Sequence, residues 1–273
     1  MKKAIVLFAD SKIGMTTANA LVDEGYDVAC AGCGVCVGDA LKQDVSWVKM
    51  DTNDVEATVK ACIDQLNGVD LLVCCPPTAE WKMNKNFLLS EDSDIDGLID
   101  TELLSYWIGA RTAARYMVKR NIKGCVIFLV SIHADNAMPG DYLYGGINAA
   151  LKHSCATIAL DLAPYGIRTA SVSYGAVAES TFDELVSEGM GSNEAEFVAN
   201  FGDVLPLGRM CRPEEVSNAV LFLASDKAAY ITGRDIMIDG GSFLFCMPEG
   251  PLNEGEVDAG WTHLRKINPQ ENW

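Results

Sequence analysis

The feature that most constrains the fold is a strand–helix–strand pattern in residues 124–177. Two apolar runs rich in β-forming residues, residues 126–130 and residues 169–173, flank a helical pattern over residues 144–162. Apolar runs and helical segments alternate in the same way from residue 3 to residue 239. This alternation predicts an α/β fold, a doubly wound Rossmann-like domain with a mostly parallel sheet of about seven strands.

Length and charge narrow the function classes. A chain of 273 residues suits one α/β domain with a full core, expected over residues 1–245. With 21 basic and 38 acidic residues the formal net charge is −17. Nucleic acids and anionic membrane surfaces both require a basic footprint, so neither is an expected partner.

Several features predict a cytoplasmic protein. The N-terminal apolar run is too short for a signal peptide and is ended by Asp10 and Lys12, and no apolar run approaches the length of a membrane span. Ten cysteines, several within apolar strands, fit reduced thiols in the cytosol. Residues 246–273 include Trp261 and Trp273, which predicts an ordered tail packed on the domain or on a neighbouring subunit.

Ser131 and Tyr144 lie thirteen residues apart, and the run LDLAPYGIRTASVSYGAV follows them. With the closing segments PLGRM, RPEEV and YITGRDIMIDGG, this pattern resembles the short-chain dehydrogenase/reductase family over roughly the first 245 residues. The resemblance implies a nucleotide cofactor, NAD or NADP. It also implies that Ser131 positions the substrate oxygen and that Tyr144 transfers the proton.

The chain departs from that family at the proton relay. The family places a lysine four residues after the tyrosine, where it binds the nicotinamide ribose and lowers the tyrosine pKa, but this chain has Asn148. Glu102 falls where the family has an asparagine that holds a relay water. Lys152 lies one turn beyond Asn148, about 6 Å along the helix axis, and is the candidate substitute cation.

The phosphate-binding loop also departs from the pattern. Of the three glycines that the family places there only the third remains, as Gly14 after Ile13; Phe8 and Lys12 occupy the other two positions. Both side chains should hinder a pyrophosphate, although the Lys12 ammonium could instead neutralise a phosphate from a shifted position. Asp51 stands where the family has an aspartate near the adenine. Dinucleotide binding is therefore predicted to be weak or absent.

Other positions bear on the choice between NAD and NADP and on a metal site. After the second predicted strand, Ala31, Gly32 and Cys33 offer neither the acidic residue typical of NAD binding nor the basic residues typical of NADP binding. Cys30, Cys33 and Cys36 have the spacing of iron–sulfur ligands, but no fourth ligand is evident, and no metal site is predicted.

Two further segments depart from the family. The fourth-strand end reads CCPP, and Glu179 replaces a threonine that contacts the cofactor, within an acidic lid over residues 178–208.

Three functions follow from these observations. The preferred hypothesis is a catalytically impaired or inactive partner subunit of a heteromeric NAD(P)-dependent dehydrogenase. The alternative is a divergent active enzyme that interconverts a carbonyl and an alcohol with NAD(P)(H) through Tyr144; a protein with a cysteine-ligated metal is the third. Helices near residues 101–120 and 144–162 carry small and apolar residues, which predicts a homo- or hetero-oligomer with a subunit of the same fold.

Overall fold

A seven-stranded, wholly parallel sheet forms the centre of the protein. The computed structural model describes residues 1–34, 41–42, 45–77, 87–137, 140–177 and 205–244. The strands are β1 (Lys3–Leu7), β2 (Asp27–Gly32), β3 (Ser46–Lys49), β4 (Leu71–Cys74), β5 (Cys125–Ser131), β6 (Arg168–Tyr174) and β7 (Arg234–Ile238). Their spatial order is β3-β2-β1-β4-β5-β6-β7, so the predicted doubly wound fold is confirmed.

Helices flank the sheet. Within the described residues the α-helices are α1 (Lys12–Asp23), α2 (Val55–Leu66), α3 (Asp92–Leu98), α4 (Ser105–Lys119), α5 (Tyr142–Leu162) and α6 (Pro213–Ala224). A π-helical segment (Ile99–Leu104) joins α3 to α4, and short 3-10 turns occur at Ile132–Ala134, Ala163–Tyr165, Asp226–Ala228 and Ser242–Leu244. Within the described ranges, no helix is long and apolar enough to cross a bilayer.

The helices pack in two groups. Helix α1 packs on α6, where the buried hydroxyls of Thr17 and Ser217 lie 3.1 Å apart. Helix α4 packs on α2, and the indole nitrogen of Trp107 on α4 donates to the Ser154 hydroxyl on α5 at 2.8 Å. Every residue of the central strands β4 and β5 is buried, as expected for parallel strands covered on both faces.

Strand order determines where a ligand can bind. The chain runs outward in one direction from β1 to β3 and in the other from β4 to β7, so the order reverses between the neighbours β1 and β4. In open α/β sheets, ligands bind in the crevice beyond the carboxyl ends of the strands at this reversal. The turn at Phe8 follows the end of β1, and Cys75-Pro76 follows the end of β4.

Candidate active site

Asn148 links the end of β5 to the start of α5. Its side-chain oxygen accepts a hydrogen bond from the backbone N–H of Ser131 at 2.8 Å, and its side-chain nitrogen donates to the backbone oxygen of Tyr144 at 3.0 Å. Asn148 is only 4% exposed. An amide can accept and donate at once, whereas a lysine ammonium can only donate. Asn148 is therefore a structural tie between the two residues that carry the hydroxyl groups.

Ser131 and Tyr144 occupy neighbouring positions at this carboxyl edge of the sheet. Both are buried, and Ser131 is the last residue of β5. The Ser131 hydroxyl oxygen accepts from the backbone N–H of His133 at 3.2 Å, which fixes the start of the 3-10 turn. Tyr144 lies in the first turn of α5. The strand end and the helix start thus present the two hydroxyl-bearing residues together.

A histidine–aspartate pair lies beside Tyr144, and sequence reasoning missed it. The Nδ1 atom of His133 lies 2.9 Å from an oxygen of Asp141, and the two side chains are 12% and 4% exposed. The imidazole meets the Tyr144 ring edge to face, with 5.5 Å between ring centroids. A Cβ at Gly145 would lie 2.9 Å from the Asp141 carboxylate, so glycine at this position permits the close packing.

A cavity of about 430 Å³ opens next to this pair. Phe87 packs edge to face on Tyr142 at one side, and the Tyr142 hydroxyl donates to the Ser90 hydroxyl at 2.7 Å. His133 and Asp141 line the cavity directly, together with Asp135. The cavity gives small molecules and water access to the histidine–aspartate pair.

Lys152 is held by two carboxylates. Its ammonium pairs with Asp135, which follows the 3-10 turn after β5, and with Asp235 on β7 at 3.1 Å. Partial burial acts to lower the pKa of Lys152, but its hydrogen bonds to Asp135 and Asp235 outweigh burial and raise that pKa. Asp235 also accepts hydrogen bonds from Ser171 and Ser173. The structure thus gives Lys152 a bridging role, and its action as the cation of Tyr144 stays a prediction.

Glu102 lies in the π-helical segment and is 3% exposed. This segment packs against α5, the helix that carries Tyr144. Single π-helical turns inside longer helices are frequent at functional sites. Sequence reasoning expected a continuous helix here, and the wider turn changes the direction of the side chains that precede α4.

The β1–α1 turn keeps its tight geometry without its first glycine. Phe8 adopts a left-handed backbone conformation, with φ of 54°, that glycine adopts more readily. Ser11 caps α1, since its hydroxyl accepts from the N–H of Gly14 and donates to the Phe8 carbonyl, both at 3.0 Å. A Cβ at Gly14 would lie 2.6 Å from that carbonyl oxygen, so the close packing of helix on strand depends on this glycine.

The two bulky residues of this loop have different environments. The Phe8 side chain is 1% exposed and belongs to the hydrophobic core, whereas Lys12 is exposed. Ile13 is also a core residue. Phe8 thus packs inward rather than standing free in the loop, and the predicted weak binding of a dinucleotide stays a prediction.

Asp10 places a carboxylate at the carboxyl end of β2. One of its oxygens accepts from the N–H of Gly34 at 2.7 Å, and the other is buried with no hydrogen-bond partner in the part of the chain that the structure describes. A Cβ at Gly32 would lie 2.8 Å from that second oxygen, so this glycine makes room for it. An acidic residue at this strand end binds the ribose hydroxyls in dinucleotide-binding folds. The unpartnered acceptor fits the adenosine ribose of a dinucleotide.

Asp51 adds negative charge at the same strand end. Burial is the main cause that raises the pKa of the Cys33 thiol, and the charges of Asp10 and Asp51 raise it further. Cys33 is the first residue after β2, so both carboxylates influence this end of the sheet. Two acidic groups here disfavour an additional phosphate by like-charge repulsion.

The cysteines near the ends of β2 and β4 lie in different environments. Cys30 is buried within β2, and Cys33 is exposed. Cys74 and Cys75 are buried, and burial raises the pKa of both thiols. Among the described residues there is no group of three or more potential metal ligands. Cys36, Glu179 with most of the expected lid, and the tail over residues 246–273 lie outside the described residues.

Comparisons with known proteins agree with this architecture. A family model described as enoyl-(acyl carrier protein) reductase matches residues 7–242. Similar curated proteins include glucose 1-dehydrogenase from Gluconobacter oxydans, 26% identical over 96% of each chain. A 3-oxoacyl-acyl-carrier-protein reductase from Staphylococcus aureus is 27% identical over 89% of this chain and 98% of its own.

Solved structures show the same fold. A short-chain type dehydrogenase/reductase from Mycobacterium marinum is similar with a TM-score of 0.73 at 27% identity, covering 88% of this chain and 94% of its own. The ligand-free aldohexose dehydrogenase of Thermoplasma acidophilum gives a TM-score of 0.79 at 23% identity over 92% of this chain and 97% of its own. The latter likeness bears on the fold alone.

Proposed function

The chain belongs to the short-chain dehydrogenase/reductase family, and from that membership we propose that it is a divergent oxidoreductase. It interconverts a carbonyl and an alcohol with NAD(H), using Tyr144 for proton transfer. The observation that carries the proposal is the Asn148 amide, which binds the backbones of both Ser131 and Tyr144 and so holds the hydroxyl-bearing residues together. The named relatives are dehydrogenases and reductases, which supports the active alternative over an inactive subunit.

The nicotinamide, when bound, supplies hydride to the substrate carbonyl carbon or accepts it back from the alcohol. Tyr144 donates its hydroxyl proton to the carbonyl oxygen during reduction, and Ser131 positions that oxygen. In oxidation of the alcohol, Tyr144 would accept the proton that leaves the hydroxyl group.

NAD(H) is the proposed nucleotide because Asp10 and Asp51 place negative charge where the 2′-phosphate of NADP(H) would bind. Gly32 and Gly34 provide space and one backbone donor for the Asp10 carboxylate. A ribose 2′-hydroxyl can donate to the Asp10 carboxylate, whereas a phosphate can only accept and is repelled.

Calorimetry with each nucleotide tests this preference. Wild-type protein should bind NADH more tightly than NADPH. Asp10→Asn removes the charge that repels the 2′-phosphate, so the ratio of the two dissociation constants should narrow by about tenfold, which corresponds to about 1.4 kcal/mol. Asp64→Asn, an exposed change on α2, is the matched control and should leave the ratio unchanged. Tighter binding of NADPH by the wild type would contradict the assignment.

Activity is tested with a panel of aldohexoses, 3-oxoacyl thioesters and simple ketones, following NADH oxidation by absorbance. We expect turnover with one of these classes, and Tyr144→Phe should lower it by about 100-fold or more, the usual contribution of a proton-transfer group. Tyr165→Phe removes an exposed hydroxyl beyond α5 and should change turnover by less than about twofold.

A second candidate function is the inactive partner subunit. Glu102 favours it, because this residue is buried in the π-helical segment that packs against α5 and does not match the asparagine of the resembled family. NADH binding without turnover on the whole panel, unaffected by Tyr144→Phe, would support this function over the enzyme.

A further inference from the structure

We propose that His133 and Asp141 form a proton relay beside Tyr144, whose family lysine position is occupied by Asn148 in this chain. The inference rests on the proposed function and concerns its proton path. His133 lies two residues after Ser131, and Asp141 immediately precedes α5, so both belong to the connection between the two hydroxyl-bearing residues. In the fold, the His133 ring packs against the Tyr144 ring, and Asp141 contacts His133.

The carboxylate fixes and supports the imidazole. One oxygen of Asp141 lies 2.9 Å from Nδ1 of His133. Its other oxygen is buried and has no hydrogen-bond partner among the described residues. A buried carboxylate gains most from a neighbour that can become cationic, and histidine is the side chain that takes up a proton near neutral pH. Asp141 therefore orients the ring and stabilises the imidazolium when it forms.

The imidazole is also next to the reacting phenol. Its ring packs edge to face on Tyr144 at 5.5 Å between centroids. The cavity lined by His133 and Asp141 opens to solvent. In the proposed relay a proton passes from solvent to His133 and on to the Tyr144 oxygen through a bridging water. Lys152 is already engaged by Asp135 and Asp235, and it bridges these two carboxylates.

The proton balance is the same in both directions. In reduction the substrate carbon gains a hydride from the reduced nicotinamide, and the substrate oxygen gains the Tyr144 proton. The O–H bond of Tyr144 breaks as the imidazolium of His133 transfers its own proton to the phenol oxygen. Neutral His133 then takes a proton from solvent. In oxidation each transfer reverses, and His133 accepts the proton that leaves the alcohol through Tyr144.

The relay predicts opposite pH profiles for the two directions. Reduction takes up a proton through this relay and oxidation releases one, so kcat for reduction should fall with rising pH and kcat for oxidation should rise. The titratable or charged groups on the elements packed around this imidazole include Glu102, Asp135 with its partner Lys152, Asp141, Tyr142, Tyr144 and Tyr174, the β6 residue paired with Ser131.

The test compares His133→Gln and Asp141→Asn with wild type, using the substrate class found active. His133→Gln should lower kcat by about 100-fold with KM nearly unchanged, and it should abolish the opposite pH dependences. His153→Gln and Asp161→Asn are matched controls on the exposed face of α5 and should leave kcat, KM and both profiles unchanged. A His133→Gln variant that keeps the wild-type profiles would overturn the relay alone.

Proton NMR gives a readout that needs neither nucleotide nor substrate. The chain has three histidines, so the ring N–H resonance of His133 can be assigned by substitution. We expect a slowly exchanging Nδ1–H signal downfield of the amides, which Asp141→Asn removes and Tyr144→Phe shifts. If the Nδ1–H resonance is unchanged by both substitutions, the relay is overturned even if turnover occurs. Absence of turnover in the wild type would instead overturn the proposed function, and the catalytic relay with it.

Discussion

Asn148→Ala should destabilise the protein strongly although it removes a small polar side chain. The substitution deletes the hydrogen bonds to the Ser131 N–H and the Tyr144 carbonyl, and each such bond contributes about 1 kcal/mol net. It also leaves the Ser131 N–H buried without its acceptor, which costs about 1–2 kcal/mol more. We therefore expect the free energy of unfolding to fall by about 2–4 kcal/mol.

Urea unfolding followed by tryptophan fluorescence and circular dichroism measures this loss. The comparison is made at one protein concentration, because subunit association changes apparent stability. For a chain of this length the expected fall in Tm is on the order of 10 °C. Asn136→Ala, an exposed change in the connection between β5 and α5, is the matched control. A loss below about 0.5 kcal/mol for Asn148→Ala, the usual range of surface substitutions, would refute the structural role.

Four other results are expected. Asn148→Lys restores the residue of the resembled family but removes the acceptor of the Ser131 N–H, so stability should fall and turnover should not rise; a robust gain in NADH oxidation would contradict this. Phe8→Gly removes a buried ring and should lower the free energy of unfolding by about 2–4 kcal/mol. Calorimetry should show nearly unchanged NADH affinity, because the ring packs into the core, and markedly tighter binding would show that the ring obstructs the nucleotide. A hydrogen bond from Arg209 is the main cause that lowers the pKa of Glu215 to about 2. The contribution of the Glu215 carboxylate to stability is complete above its ordinary pKa of about 4.3 and is lost as pH falls towards 2. Glu215→Gln should therefore lower the free energy of unfolding by less than about 1 kcal/mol at pH 7. The urea midpoint of this variant should converge with that of wild type in acid. Light scattering at micromolar concentration should give a mass above that of one chain, as is common in this family, and a monomer would contradict it.

The sheet could be predicted because each buried strand is recognisable on its own in the sequence. A fully buried parallel strand is a continuous apolar run, and β5 shows that run in the sequence itself. The end of β1 was predicted less accurately. The apolar run of the sequence continues to Ala9, but the strand ends at Leu7 because Phe8 adopts a left-handed backbone conformation. The π-helical segment before α4 was also not predicted, since its extra residue per turn depends on packing against α5.

Site residues could be placed only where a motif specified them. The spacing of Ser131 and Tyr144 located both at the β5–α5 junction. The contribution of Asn148 could not be predicted from the absence of a lysine, because its two hydrogen bonds depend on how the helix meets the strand. The sequence gives only weak indications of His133 and Asp141: His133 comes just after a predicted strand, and Asp141 comes just before a predicted helix. Their contact depends on the path of the loop between them.

The position of Asp10 illustrates the same limit. Its sequence neighbours belong to the β1–α1 turn, and only the folded loop brings its carboxylate to the glycines that follow β2. Sequence reasoning examined the end of β2 for an acidic residue and found none. The residue that fills this place comes from the preceding connection of the chain.

Asp235 has a consequence for the order in which the protein is made. This residue of β7 holds Lys152, and Lys152 in turn holds Asp135 in the loop that begins at Ser131. The anchor of that loop is therefore synthesised about a hundred residues after the loop itself. A nascent chain stalled before Arg234 should leave the β5–α5 connection open to protease, and release of β7 from the ribosome should close it.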